Sequence, residues 1–174
     1  SLKKMTIVFS TFDSQLALLG TCTLFFHSLF SWIQFVSPRK LLKRITSISF
    51  TLSSCFLACS LISRWYMNGY FPLSNLYESL LFLSWCLLTA YLFIEKRSKT
   101  SLLGFLIAPL ALLTSAFATL TLPKEMQKAI PLVPALQSNW LMMHVSMMMV
   151  SYATLIVGSI LCIFYLILKK KKYK

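Results

Sequence analysis

The chain has 174 residues, of which 57% are hydrophobic and 12% are charged, and its mean hydropathy is +0.75. Soluble domains hold about 25% charged residues, so one small soluble core is excluded and lipid is the solvent that this composition requires. The net charge is +13, but the basic residues form short clusters between apolar runs, which indicates membrane topology and argues against nucleic-acid binding. We predict an all-α polytopic membrane protein.

Five apolar runs are long enough to cross the hydrocarbon layer, which takes about 20 residues in a helix. The predicted helices cover approximately residues 14–36, 45–63, 76–94, 101–122 and 141–168. No internal repeat and no soluble domain are recognisable, so residues 1–174 are predicted to form a single membrane domain. The fifth run is longer than a span needs, which predicts tilt or an extension beyond the bilayer.

The connections predict the orientation of the helices. Twelve of the seventeen basic residues lie in three segments: between the first and second helices, between the third and fourth, and after the fifth (39–44, 96–99 and 169–174). With five helices these segments share one side, here called the basic face. The positive-inside rule puts the basic face toward the compartment of synthesis and the N-terminus on the opposite, outer face.

Two connections are predicted at the outer face. Residues 64–72 are rich in aromatic side chains, which is typical of a belt at the level of the lipid headgroups. The stretch from Pro123 to Trp140 holds three prolines among apolar residues, so we expect a structured cover over the outer helix ends rather than a helix.

Opposite charges flank the first outer loop. Glu78 lies near the outer end of the third predicted helix and Arg64 lies in the loop before it. We predict a salt bridge that pins the loop to the helix; a proton or substrate role for Glu78 is the alternative. Ser74 and Asn75 precede the helix and are predicted to cap it.

The chain has two histidines, at different depths. His144 lies about four residues into the fifth helix, about 6 Å below its outer end, whereas His27 lies about 20 Å from the same surface. Because axial ligands approach one haem iron from opposite faces, the two are treated as independent. His27 is most simply a packing residue that is hydrogen-bonded across a helix interface.

The neighbours of His144 suit a binding face. Trp140, His144, Met147 and Ser151 recur at helical spacing. A neutral imidazole beside an aromatic ring and a thioether suits a metalloporphyrin at the membrane surface; the alternative is an ordinary interfacial histidine in a methionine-rich packing face. Met147 and Met148 share a helix with His144, so the opposite axial ligand must come from elsewhere.

Other chemistry is not encoded in a recognisable motif. The five cysteines include no CxxC and no CxxCH spacing, which excludes a thioredoxin-like motif and a c-type haem attachment site. There is no glycine-rich phosphate loop and no nucleophile with a base beside it. We therefore predict no catalytic residue and no self-contained active site.

Three stretches of the sequence resemble the CcsA family, plastid-encoded cytochrome c biogenesis proteins of system II. The first begins Arg64-Trp65 and continues as GYFPLSNLYESL over residues 69–80. The others are LIAPLALLTSAFATLTLPKEM over 106–126 and PLVPALQSNWLMMHVSMMMVSYA over 131–153. The resemblance covers most of the chain from about residue 60, and the first helix fits only loosely.

The resemblance implies a function in haem delivery. Members of this family are expected to carry haem b transiently to the lumenal side of the thylakoid membrane of the plastid and present it to the CxxCH thiols of apocytochromes c. They are expected to work as multi-pass membrane proteins with a CcsB-type partner, as assembly factors and not as enzymes on their own. His144 matches the lumen-facing axial ligand of the family, with Trp140 beside it, and the basic loops and C-terminal tail are expected to be stromal.

The sequence also departs from the family pattern. The tryptophan-rich WWD segment, a second outward histidine and a transmembrane histidine follow this region in the family, and no residue here takes their roles. The resemblance therefore implies an N-terminal part that does not bind haem tightly alone. A structural scaffold subunit without haem is the alternative. A small transporter with Glu78 as its intramembrane charge ranks last, because it needs mid-depth polar residues on several helices and the sequence predicts few.

Overall fold

The protein is seen here in a computed structural model that describes residues 2–98, 102–130 and 138–172. These residues form six α-helices and one π-helical turn, and they contain no strand. The elements are α1 (Leu2–Val36), α2 (Lys40–Asn68), α3 (Leu76–Ser98), α4 (Leu102–Ala116), the π-helical turn (Phe117–Thr121), α5 (Lys124–Gln127) and α6 (Asn139–Lys172). The predicted all-α class is confirmed.

Five segments in the described part of the chain are long and apolar enough to cross a membrane. They are Phe12–Val36, Lys40–Asn68, Leu76–Glu95, Leu103–Thr121 and Asn139–Lys170. The predicted polytopic architecture with five membrane-spanning helices is therefore confirmed.

The second helix is longer than the sequence pattern predicts. It continues to Asn68, and Gly69 ends it with φ of +71°, donating its N–H to the carbonyl oxygen of Trp65 at 3.0 Å. The expectation that Arg64 lies in a loop is wrong, because no residue between 64 and 68 breaks a helix and glycine readily adopts the left-handed conformation that ends one. Arg64 thus lies inside α2.

The fourth predicted helix changes geometry near its outer end. α4 contains Pro109 and passes into the π-helical turn, where the N–H of Leu122 donates to the carbonyl oxygen of Phe117 at 3.1 Å. Pro123 follows, and the short α5 begins the second outer connection. Within the predicted cover over 123–140, residues 131–137 lie outside the described part of the chain.

The first four spanning segments form a packed bundle, and α6 lies at its edge. α1 and α2 are in close contact: a Cβ at Gly20 would lie 3.0 Å from the side chain of Leu57. Of the apolar spanning windows, that of α6 is 11% buried, compared with 39–50% for the others. α6 packs mainly on α3 and buries Ala153 and Val157, so most of its surface faces away from the other helices.

Candidate functional site

Arg64 joins three helices at the outer end of the bundle. Its Nε lies 3.0 Å from Oε1 of Glu78 on α3, and its Nη1 lies 3.0 Å from Oδ2 of Asp13 on α1. Its Nη2 donates to the backbone carbonyl of Gln127 at 2.8 Å. Asp13, Arg64 and Glu78, here called the outer ion cluster, are all nearly inaccessible to solvent.

The charges of this cluster are compensated within the chain. Oε2 of Glu78 accepts hydrogen bonds from the backbone N–H of Ser74 at 2.8 Å and from its hydroxyl at 2.7 Å. The guanidinium carbon of Arg64 lies 4.8 Å from the ring centroid of Tyr77, within the range of a cation–π contact. Because buried charges need partners and hydrogen bonds, this arrangement is that of a structural cluster closed by its own contacts.

One member of the cluster, Asp13, was not predicted from the sequence. It is one of only four acidic residues and it directly precedes the first predicted span. An acidic residue within or beside an apolar run calls for an identified partner, and that rule would have singled it out.

Arg64 also pins a connection, but a different one from the predicted loop. Arg64 contacts the carbonyl oxygen of Gln127 in the second outer connection. The side-chain amide of Asn75 donates to the carbonyl oxygen of Lys128 in the same connection at 2.9 Å, and Oδ1 of Asn75 accepts from the N–H of Glu78 at 2.9 Å. Asn75 thus caps α3, as predicted, and it fastens residues 123–130 onto the ends of α2 and α3.

The face of α6 that carries His144 is exposed, in contrast to the buried outer ion cluster. Trp140 is 81% exposed and Met147 is 66% exposed, and His144 and Ser151 are exposed beside them. Among the described residues the imidazole of His144 has no hydrogen-bond or ion-pair partner. The predicted residues therefore lie on one open helix face, separate from Arg64 and Glu78.

The second histidine is not available to that face. His27 is fully buried, and its Nδ1 lies 3.2 Å from the carbonyl oxygen of Thr46 and 3.2 Å from Oγ of Ser49 on α2. This confirms the prediction of a histidine that is hydrogen-bonded across a helix interface. The described part of the chain holds no cluster of three metal-ligating side chains.

Buried polar side chains are more numerous at mid-depth than the sequence predicted. They include Thr21, Ser49, Ser53, Ser60, Ser84 and Ser115. Four of them donate to carbonyl oxygens three or four residues earlier in the same helix, which satisfies their hydroxyl groups locally. Ser60 and Ser84 instead donate to carbonyl oxygens of neighbouring helices. The expected scarcity of mid-depth polar residues was wrong.

The His144 face fits one side of a porphyrin. The exposed imidazole of His144 could bind an iron, and the exposed Trp140 and Met147 could make apolar contact with a flat ring. The described residues place no cluster of three His, Cys, Asp or Glu side chains at His144.

Residues 73–174 match the family described as Cytochrome C assembly protein. The match covers more than half of the chain. This chain belongs to that family.

The curated relatives carry the name cytochrome c biogenesis protein CcsA, which confirms the resemblance to the CcsA family. The relative from Trieres chinensis is 56% identical over 141 residues, covering 80% of this chain and 45% of the relative. That from Marchantia polymorpha is 48% identical over 169 residues, covering 95% of this chain and 52% of the relative. That from Chlamydomonas reinhardtii is 58% identical over 132 residues, covering 74% of this chain and 37% of the relative.

The chain spans about half the length of the curated relatives it matches. No solved structure matches it.

Proposed function

We propose that this chain takes part in the maturation of c-type cytochromes by handling haem and delivering it to apocytochromes on the lumenal side of the thylakoid membrane. The observation that carries the proposal is the exposed imidazole of His144, which has no partner among the described residues and is flanked by Trp140 and Met147. Membership of the cytochrome c assembly family, with relatives named for cytochrome c biogenesis, supports it.

Each residue of the face has a distinct task in this proposal. His144 would hold the haem iron through an imidazole nitrogen, and Trp140 and Met147 would contact the porphyrin. Haem b, when bound, supplies the group that becomes attached to the cysteine thiols. A further ligand would come from outside the described residues, either from the remaining length that the relatives possess or from a CcsB-type partner.

The outer ion cluster supports this function by positioning. It joins α1, α2 and α3 and holds residues 123–130, which lead toward α6, against the helix ends. No residue of the cluster is assigned to chemistry, and the chain acts as an assembly factor and not as an enzyme on its own.

We further propose that the outer face, with His144 and the N-terminus, is lumenal and that the basic face is stromal. Twelve of seventeen basic residues lie on the basic face, in accordance with the positive-inside rule. Asp13, Arg64, Glu78 and Gln127 meet at one end of the bundle, which agrees with the alternating direction of the helices.

The test is haem binding by a longer protein. The chain is joined to the remaining length of the Trieres chinensis relative, purified, and compared with the chain alone by visible absorption. We expect a Soret band in the joined protein that His144→Ala reduces strongly and that Ser159→Ala, an exposed substitution elsewhere on α6, leaves unchanged.

Two results would contradict the proposal. A Soret band of full intensity after His144→Ala would exclude His144 as a ligand. No band in the correctly folded joined protein, even with a CcsB-type partner, would favour the scaffold function, for which the closed outer ion cluster is the supporting observation.

A further inference from the structure

The hydrogen bonds of His27 define the tautomer of its ring. Nδ1 lies 3.2 Å from the carbonyl oxygen of Thr46, which can only accept, so Nδ1 carries the hydrogen. The hydroxyl of Ser49 donates to the same carbonyl at 2.9 Å and therefore accepts from Nδ1 at 3.2 Å. In the neutral ring Nε2 is consequently a bare hydrogen-bond acceptor.

That acceptor is buried without a partner, and so is a neighbouring hydroxyl. His27 is 0% exposed and its Nε2 has no hydrogen-bond partner within the described residues. Ser31, one helical turn further along α1, is 2% exposed, and its Oγ has no partner either. A buried acceptor and a buried hydroxyl one turn apart on the same face of a helix can be bridged by an internal water molecule.

A third polar group from α3 reaches the same place. A Cβ at Gly104 would lie 3.2 Å from Oγ of Ser31 and 3.2 Å from the hydroxyl oxygen of Tyr91. Both hydroxyls therefore lie next to Gly104 on α4, on the side where a Cβ would be. The ring of Tyr91 also packs on His27, with 6.1 Å between the ring centroids.

Tyr91 connects this place with the basic face of the bundle. Glu95 follows Tyr91 by one helical turn on the same face of α3, closer to the basic end, and is only partly buried. The residues that α2 presents to His27 are Thr46, Ser49 and Phe50, none of which titrates near neutral pH. The polar route from His27 thus runs through α3.

We propose that His27, Ser31 and Tyr91 bind an internal water molecule that links Nε2 of His27 to the basic face through Glu95. His27 is then a proton-exchange site within the membrane: a proton passes from water at Glu95 along the hydroxyl of Tyr91 and the bound water to Nε2. This inference uses neither His144 nor haem.

The test exploits the presence of only two histidines. The protein is labelled with ¹⁵N-histidine, reconstituted in liposomes and studied by solid-state NMR, with His144→Gln used to assign the His27 signals. We expect an unprotonated Nε2 that receives magnetisation from water protons, and whose ring takes up a proton when the basic side is acidified.

Two substitutions interrupt the route in different ways. Tyr91→Phe removes only the hydroxyl, and Gly104→Ala places a methyl group between the two hydroxyls. An added barrier of about 1.4 kcal/mol slows a rate about tenfold, so each is expected to slow proton exchange at His27 by about tenfold or more. Gly158→Ala, where a Cβ meets nothing within 4 Å, is the matched control and leaves exchange unchanged.

Three outcomes would overturn the inference. One is the opposite tautomer, with hydrogen on Nε2. Another is a wild-type His27 signal that receives no magnetisation from water protons and does not change with pH. The third is exchange in Tyr91→Phe at the wild-type rate, which remains informative if Gly104→Ala does not fold. Haem absorption is unaffected by any of these results, so they are distinguishable from failure of the proposed function.

Discussion

Two regions at the outer end of the molecule carry its conspicuous polar side chains, and they differ in how those side chains are bonded. Arg64 is 4% exposed and contacts Asp13, Glu78 and the carbonyl of Gln127. His144 is exposed and has no partner among the described residues. The polar groups of the first region are bonded to each other, whereas the imidazole of the second is free to bind a ligand.

Charge or polarity near the membrane surface therefore does not by itself mark a binding site. A group whose donors are already engaged contributes to stability, and its removal leaves its partners buried without compensation. A group on an open helix face contributes little to stability and is free to bind. The two regions should therefore respond in opposite ways to substitution.

Arg64→Met should give the largest loss of stability. It leaves two buried carboxylates without their cation, which costs about 3–5 kcal/mol of unfolding free energy. The measurement is a denaturant titration in mixed micelles. The matched control adds Asp13→Asn and Glu78→Gln to Arg64→Met and should recover most of the loss; equal stability of wild type and Arg64→Met would contradict the structural role of the cluster.

Gly20→Ala should have the next largest effect, because its methyl group would lie 3.0 Å from the side chain of Leu57 on α2. Overpacking of this kind costs about 1–3 kcal/mol. In the same titration Gly158→Ala, which has open space, should be neutral or stabilise the protein by up to about 1 kcal/mol. Equal effects of the two substitutions would show that α1 and α2 are not in close contact.

Asn75→Ala should cost about 1 kcal/mol, since it removes the cap of α3 and the bond to Lys128. Asn75→Asp keeps the capping oxygen and loses only the donor, so its loss should be smaller. Limited proteolysis of residues 123–130 gives a second measurement: both variants should be cut faster than wild type. An unchanged cutting rate would mean that Asn75 does not hold this segment.

His144→Ala should have the smallest effect on stability, within about 0.5 kcal/mol, because the exposed side chain has no partner among the described residues. A loss comparable to that of Arg64→Met would mean that the imidazole is part of the packed structure. The sharp distinction between the two regions would then disappear.

The helices could be predicted from the sequence because apolar length alone determines a membrane span. The ends of the helices were harder to predict. Arg64 was assigned to a loop because a charged residue after an apolar run resembles a helix boundary, whereas α2 ends only at Gly69. Asp13 was missed because its partner lies 51 residues away in sequence, and pairing at that separation depends on the tertiary packing.

For the candidate site, the spacing of Trp140, His144 and Met147 predicted a shared helix face, but it left open whether that face is buried. Its exposure depends on which side of α6 packs against α3, and the side with Ala153 and Val157 is the buried one. The residue pattern of a single helix does not contain that information, because both faces of α6 are apolar.

The most direct test of the account replaces His144 by glycine in the protein joined to the remaining length of its relative, and adds free imidazole. If the ring of His144 is an axial ligand on an open face, His144→Gly loses the Soret band and imidazole, entering the space left by the side chain, restores it. Full haem absorption in His144→Gly without imidazole would contradict the account.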